Sequence, residues 1–577
     1  MRTLHQCLLH ADLARLQVIA RFWDVDLTAG RQREVAAELA EAMISPQAIA
    51  VARDALPDDQ RRALKALLAA GGLMPLQVFS RQWGEIRAMG PGRLEREHPW
   101  REPISPAEGL WYHGLLYRTF DQGPEGAFEV AFVPEELRPH LPAATAPAPR
   151  ISLESTSEPG VVRSTGDTFL DDACTLLAFL QNERLRPRQD GTWPSRHETQ
   201  LAGQLRDPDP ARLDLLRHLA HTLDWLRLTT GPQTSGGHLR PNPGPAIAWL
   251  QLPAADEQRR QLAEAWRDDA TWNDLFHVPT LAPQDTGAWH NDPVLARGAI
   301  LQHVRACVAG TWYGIDAFAA AVRQVDADFQ RPDGDYATWY IRDATSGDYL
   351  SGFENWDRVE GALIRYLLTC PLAWLGLTDV GTRAPGEPLS AFRLTPAGAA
   401  FLGLGKPAPE PTREPMALRA GWTVTVSPAR RFERFQLARV ADWVASPSAA
   451  HAGKKGATFT YRITPASLER ARRQGIPVAR VLAFLDEMTE APLPRLVADT
   501  LAHWDARGTE VRLERTIVLS TASEPLMDQI LASPATRRLI QERVGPVHAL
   551  VRARDCPRLV EALGKLGTLA EIAGIEP

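Results

Sequence analysis

Up to residue 141 the apolar positions recur mostly at three- and four-residue steps. Leu8, Leu9, Leu13, Leu16 and Ile19 form one such series, and Ala63, Leu64, Leu67 and Leu68 another. This is the spacing of one face of an amphipathic helix. Ser105-Pro106-Ala107-Glu108 predicts a helix start, with Ser105 as N-cap, Pro106 at N1 and Glu108 completing a capping box at N3. The helix it opens carries Leu110, Trp111 and Leu115. The period then changes to two. Leu116 to Phe120 and Phe128 to Val133 alternate on either side of a Gly/Pro-containing turn, Asp121 to Gly126, which predicts a β-hairpin. Helices followed by a hairpin are the outline of a winged helix.

The outline recurs downstream. Trp225-Leu226-Arg227-Leu228-Thr229 precedes Leu239-Arg240-Pro241-Asn242-Pro243 and then Ile247 to Leu250. Trp374-Leu375-Gly376-Leu377-Thr378 precedes Phe392-Arg393-Leu394-Thr395-Pro396 and then Ala399 to Leu402. The shared text, W-L-x-L-T and later R-x-x-P, reads as a weak internal repeat of helix–hairpin–helix units. Two proline-dense stretches, Leu141 to Gly160 and Gly403 to Ala420, read as linkers, because proline blocks helix and ladder hydrogen bonds. A weaker break lies near Pro279 to Asp292.

Beyond the second linker strands become frequent. Trp422 to Val426, Thr458 to Ile463, Val511 to Leu519 and Val547 to Val551 are rich in β-branched and aromatic residues. Between them a helix is predicted from Thr464 as N-cap and Pro465 at N1 to Gly475. Two more run through Val478 to Leu485 and Leu496 to Trp504. The expected fold is multi-domain: mainly α with winged-helix-like units in the N-terminal two-thirds, and an α+β C-terminal domain. The boundaries expected are 1–141, 161–285, 286–403 and 418–577.

Composition changes this picture little. Of 577 residues, 44% are hydrophobic and 23% charged, close to ordinary globular usage, which argues against wholesale disorder or a collagen-like repeat. The longest apolar run, Tyr366 to Leu377, is interrupted by Thr369 and Pro371 and is too short for a bilayer, which needs about 20 residues. The N-terminus has no signal-peptide pattern, so a cytoplasmic address without a membrane partner is the expectation. Cys7, Cys174, Cys307, Cys370 and Cys556 are scattered singly, as buried free thiols are, not as a zinc ribbon or a disulfide framework.

Charge distribution says more than its sum of −6. Residues 411–577 hold 24 Lys+Arg against 18 Asp+Glu, and residues 411–480 alone hold 13 against 4. Such asymmetry points to a polyanion partner. Arg430, Arg431, Arg434 and Arg439 follow the first C-terminal strand. Lys454 and Lys455 sit in a glycine loop, Arg462 ends a strand, and Arg470, Arg472 and Arg473 lie on the next helix. Guanidinium forks and ammonium charges suit phosphate oxygens. Phe432, Phe435, Phe459 and Tyr461 lie among them, and aromatics beside cations can stack unpaired bases. Near the first helical unit, Arg87, Arg93, Arg96 and Arg101 are further candidates for a duplex backbone, although residues 1–410 are net acidic.

Motifs for catalysis are missing. There is no G-x-x-x-x-G-K-[ST]; the nearest text is Gly453-Lys454-Lys455-Gly456. Without a phosphate cradle and its magnesium-binding hydroxyl, P-loop ATP hydrolysis is not expected. His218/His221 and Asp333/Asp335 are two-ligand sets, short of the three or four that zinc takes. His290, Asn291 and Asp292 read as a solvated turn. No cofactor and no metal site are expected.

The segment Tyr461-Arg462-Ile463-Thr464-Pro465-Ala466-Ser467-Leu468 is followed by Gly475, Leu482 to Leu485, Pro492-Leu493-Pro494 and Trp504. It resembles the accessory N-terminal domain of XPB-type DNA helicases and of motor-less bacterial helicase-associated proteins. The resemblance covers residues 418–577. Phe79 to Leu116, with Gly84, Arg87, Met89 to Leu94 and Pro99-Trp100, is similar to the N-terminal part of the motor-less proteins. The resemblance implies DNA engagement beside a motor and supplies no catalytic residues. The expected function is therefore a non-catalytic DNA-binding or helicase-accessory protein. Its phosphate contacts would come from Arg430, Arg431, Lys454, Lys455, Arg462, Arg470 and Arg473. The partners are DNA and a separate helicase or nuclease. The alternatives are an interaction scaffold that never touches DNA and, third, a nuclease whose site is assembled from distant sequence.

Overall fold

Helix propensity and capping set the first elements. In the computed structural model the apolar series from Leu8 to Ile19 is two helices, Leu4–Leu9 and Leu13–Phe22. The Asp12 carboxylate accepts the Arg15 N–H at 2.8 Å and starts the second helix afresh, as a good N-cap does. The structure describes residues 2–28, 30–123, 126–141, 151–229, 237–287, 289–406, 413–419, 421–447, 457–490, 492–510 and 516–572. Lys454 and Lys455 lie outside the described residues, as do Pro142, Pro147 and Pro149 of the first linker, Pro407, Pro409 and Pro411 of the second, and the start of the predicted strand at Val511. The chain divides into two units, residues 1–471 with 487–490, and residues 472–486 with 491–577. It is a mixed α/β, multi-domain protein in which helices predominate.

In the first unit, helix Asp58–Ala69 leads to strand Leu73–Pro75, helices Leu76–Trp83 and Pro106–Tyr112, and the hairpin Tyr117–Gly123/Gly126–Phe132. The short strand pairs with the last strand of the hairpin, Leu73 facing Phe132 and Pro75 facing Val130. The core beneath is continuous from Leu4 and Leu8 through Leu39, Leu64 and Leu67 to Leu110 and Phe132. The predicted capping box forms only in part. Ser105 Oγ accepts the Glu108 N–H at 3.0 Å. The Glu108 carboxylate, however, turns to the Ile104 N–H at 2.9 Å and to the Arg87 guanidinium at 2.6 and 2.7 Å.

The same element order returns at Pro293–Val304, Trp312–Gly314, Ile315–Val325, Trp356–Thr369, Thr378–Thr382 and Ala391–Leu394. Here too the short strand pairs with the last one, Trp312 facing Arg393. Strand Val161–Arg163 adds to the other edge of this antiparallel sheet. The apolar run from Tyr366 to Leu377 is core: it is split between helices Trp356–Thr369 and Pro371–Trp374, with Leu367, Leu368, Leu372 and Leu375 buried. The hairpin Leu226–Thr229/His238–Pro241 is a two-stranded sheet without the extra strand.

The shared text of the internal repeat matches structure only in its second half. Asn242 and Thr395 are both N-caps with proline at N1. Leu226 faces Pro241, whereas the residue facing the equivalent Leu394 is Thr378. The two W-L-x-L-T stretches are therefore offset by three residues.

Helix Thr168–Asn182 is apolar on nearly every side and is buried from Thr168 to Leu180, as a central core helix is. A four-stranded antiparallel sheet packs near it, in the order Ala417–Arg419, Thr423–Val426, Phe459–Arg462, Asp442–Ala445. Helix Pro465–Arg473 follows, with the Thr464 side chain accepting the Ser467 N–H at 3.0 Å and Gly475 at φ +77° beyond its end, the left-handed position glycine favours.

The second unit contains helix Arg495–Arg507 and the antiparallel strands Thr516–Ser520, His548–Arg552 and Ile540–Arg543, in that order. Its core holds Ile530, Val551, Leu559 and Leu563. Among the described residues no single helix is long and apolar enough to cross a membrane.

Candidate nucleic-acid interface

Strand register places the basic residues. Arg419 faces Thr423, Thr423 faces Arg462, and Arg462 faces Asp442. Residues directly opposite in antiparallel strands point to the same side, so these four cross the sheet in one row. Thr425 and Thr460 form the neighbouring row. The alternate positions Val424, Val426, Phe459 and Tyr461 are buried on the other face. With strands about 4.8 Å apart, the Arg419 and Arg462 backbones are about 10 Å apart.

Arg419 and Arg462 are exposed, and neither side chain has a hydrogen bond or ion pair among the described residues. At the end of the row Arg470 donates to Asp442 at 2.7 Å and to the Ala441 carbonyl at 3.2 Å, while Thr464 Oγ1 donates to the other Asp442 oxygen at 2.6 Å. Two open guanidinium forks, a third on a half-exposed carboxylate, and flanking threonine hydroxyls are donors suited to phosphate oxygens.

The other expected contacts are distributed differently. Arg430 is half-buried, donating to the Glu414 carbonyl at 2.7 Å and to Glu433 at 3.1 Å. Arg473 is exposed and belongs to the second unit. Arg431 lies inside the protein, with 4% of its surface exposed. It is held by Asp171 at 2.9 Å, Asp167 at 3.0 Å and Gln258 at 3.1 Å. A phosphate role does not fit it, because a buried cation must keep its counter-charge.

Arg434, fully buried, stacks 3.6 Å over the Phe459 ring and donates to the Asp171 carbonyl and to Cys174 Sγ. These two arginines tie helix Arg431–Leu437 to helix Thr168–Asn182. Part of the C-terminal charge excess is thus neutralised by acids from the net-acidic part of the chain. Phe435, Phe459 and Tyr461 are buried as well, so base stacking does not fit them; burial also pushes the Tyr461 phenol well above its ordinary range.

Arg419 escaped the sequence reading. Its signal is period-two placement: Ala417 and Arg419 lie on the face opposite to Leu418. A second overlooked signal is the Asp171-Asp172 doublet in an apolar helix, since buried carboxylates need cations from elsewhere. Arg206 and Arg212 answer it along with Arg431.

The N-terminal candidates are mostly engaged locally. Arg87 is clasped by Glu108, Arg93 pairs with Glu97 one turn on at 2.7 Å, and Arg96 donates to the Gly92 carbonyl. Arg101 is exposed. His218 faces Asp269 at 2.5 Å, and Asp333 accepts the Asp335 N–H in a turn. No cluster of three metal-ligating side chains occurs among the described residues.

Residues 431–545 match a sequence profile described as the helicase conserved C-terminal domain. No curated protein matches the chain. The matched segment contains Arg462 and Arg470, and Arg419 lies just before it. Over this segment the protein is helicase-related.

Proposed function

We propose that this protein is a non-catalytic DNA-binding or helicase-accessory protein that holds a phosphate backbone on the polar face of the sheet formed by residues 417–462. The observation that carries the reading is the exposed Arg419–Arg462 row, ending at Arg470, within and beside a helicase-related segment. The sequence has no P-loop, which favours an accessory role in cooperation with a separate motor. The likeness of residues 418–577 to the XPB-type N-terminal domain points the same way.

In the units at 58–132 and 293–394 a short strand pairs with the last strand of the hairpin, which supports our reading of them as winged-helix-like scaffold. The helices that would enter a groove, Pro106–Tyr112 and Trp356–Thr369, are mostly buried. A helix covered by its own chain cannot read base edges. This burial also favours the second reading, an interaction scaffold for a helicase or nuclease without DNA contact.

Fluorescence anisotropy with labelled single-stranded, duplex and forked DNA decides between them. Three arginine contacts predict a log–log salt slope of about −2.1 for single strands or −2.7 for duplex, a loss of about 20- to 40-fold between 50 and 200 mM salt. Arg419→Ala/Arg462→Ala reduces the slope by about 1.4 to 1.8. Affinity that is flat with salt, or absent while a motor protein co-purifies, overturns the DNA reading in favour of the scaffold.

A further inference from the structure

A cleft of about 440 Å³ opens in the N-terminal region, lined by Arg2, Arg15, Arg87, Arg118, Trp111 and Tyr117 among others. It lies outside the helicase-related segment and is independent of the sheet face. Its size is that of a small-ligand site. Four arginines line it against a single carboxylate, Asp12.

Arg15 is the unusual member. Only 7% of its surface is exposed. Its Cζ lies 3.3 Å from the centre of the Trp111 ring, and one terminal nitrogen donates to the Trp111 carbonyl at 3.1 Å. Its Nε is buried without a hydrogen-bond partner, and among the described residues no carboxylate forms an ion pair with it.

Most other buried arginines differ. Arg212, Arg297, Arg331 and Arg431 are each held by a carboxylate, whereas Arg15 lies only in the field of one, Asp12, as Arg434 does in that of Asp171. Arg15 also occupies the third position of helix Leu13–Phe22, where a cation opposes the helix dipole. Burial lowers its pKa to about 10, so it remains charged at neutral pH. A buried cation with an unpartnered Nε and no ion pair, beside an open cleft, is an arrangement that folding alone does not favour.

We propose that this cleft is a binding site for a phosphate-class oxyanion, with Arg15 as its anchoring cation. The donors arrive from separate directions: Arg2 precedes the first helix, Arg15 sits on helix Leu13–Phe22, and Arg118 sits on strand Tyr117–Gly123, its Cζ 4.7 Å from the same Trp111 ring. A tetrahedral oxyanion accepts donors from several directions, whereas a planar carboxylate takes one fork. Arg87 and Arg118 are balanced by Glu108 and Glu129, at 2.6 and 3.5 Å, and Asp12 offsets one further charge, so the four arginines exceed the neighbouring carboxylates by one.

Isothermal titration of the full chain with inorganic phosphate, AMP, a twelve-residue oligothymidylate and acetate, at constant ionic strength, tests this. Phosphate and AMP are expected to bind, more weakly by at least tenfold in Arg15→Gln and about threefold in Arg118→Gln. Partial recovery in Arg15→Lys is also expected. Binding of phosphate and AMP identifies a free small molecule as the ligand source. Binding of the oligothymidylate alone, lost in Arg15→Gln, identifies a strand phosphate; either outcome supports the site. Arg118→Gln carries the test should Arg15→Gln not fold. The proposal is overturned if none of the phosphate ligands binds the wild-type chain at millimolar concentration, if acetate binds as well as phosphate, or if both variants bind like the wild type.

Discussion

Arg431→Ala separates a core arginine from a surface one. The substitution removes contacts to Asp171 at 2.9 Å, Asp167 at 3.0 Å and Gln258 at 3.1 Å. Breaking a buried ion pair outright costs about 3–5 kcal/mol. Here Asp171 keeps Arg206 and Asp167 keeps Arg259, each at 2.5 Å, so neither carboxylate is orphaned. The lower end, about 3 kcal/mol, is therefore expected. At 1.36 kcal/mol per decade this is about a 150-fold increase in the opening constant.

The natural readout is native-state hydrogen exchange of the amides in strands Thr423–Val426 and Phe459–Arg462, which report opening of the sheet attached to helix Arg431–Leu437. Arg462→Ala, with its side chain in solvent, leaves those rates unchanged and serves as the control. Less than a threefold acceleration in Arg431→Ala, together with a DNA salt slope reduced by about 0.7 to 0.9, would refute the reasoning. Arg431 would then be a phosphate contact and not a core cation.

Three further outcomes follow from single groups. His113 stacks on Phe22 at 3.7 Å, and burial lowers its pKa from 6.5 to about 4. The folded state therefore favours neutral imidazole. Its contribution is complete above pH 6.5 and is lost as pH falls toward 4, by about 2 kcal/mol after allowance for partial exposure. Urea midpoints across this range should fall for the wild type and flatten in His113→Phe. Ser105→Ala removes the cap on Glu108 N–H and the 2.7 Å bond to the Glu85 carbonyl, and should cost about 1–2 kcal/mol in chemical denaturation. Gly398→Ala drives a methyl group into the Leu377 carbonyl oxygen, a backbone atom. Its expected cost is about 3 kcal/mol, read as accelerated exchange in helix Pro396–Phe401, and an unchanged rate would show that the turn at Leu375–Leu377 yields.

Much of the local architecture follows from the sequence. The helix at Asp58–Ala69, the hairpin at residues 117–132, and the helix begun by Thr464-Pro465 and closed by Gly475 all come from short-range spacing, capping and turn chemistry. These forces act within a few residues and are legible in one dimension. Where they were misread, a single side chain decided: Asp12 breaks one apolar series into two helices, and Glu108 prefers Ile104 and Arg87 to its own N-cap. The strand Asp442–Ala445 was not anticipated, because its status depends on pairing with Phe459–Arg462.

The functional surface needed the tertiary structure. In sequence, Arg431 and Arg462 belong to one basic run. In space the first neutralises Asp167 and Asp171, more than 250 positions away in the chain, and the second stands in solvent across the sheet from Arg419. Counting charge along the chain cannot detect this, because Coulombic pairing and desolvation act through space. The same holds for Arg15, one arginine among 59 in the sequence. Only the folded packing of Trp111 against its guanidinium, with a buried Nε that has no hydrogen-bond partner, sets it apart.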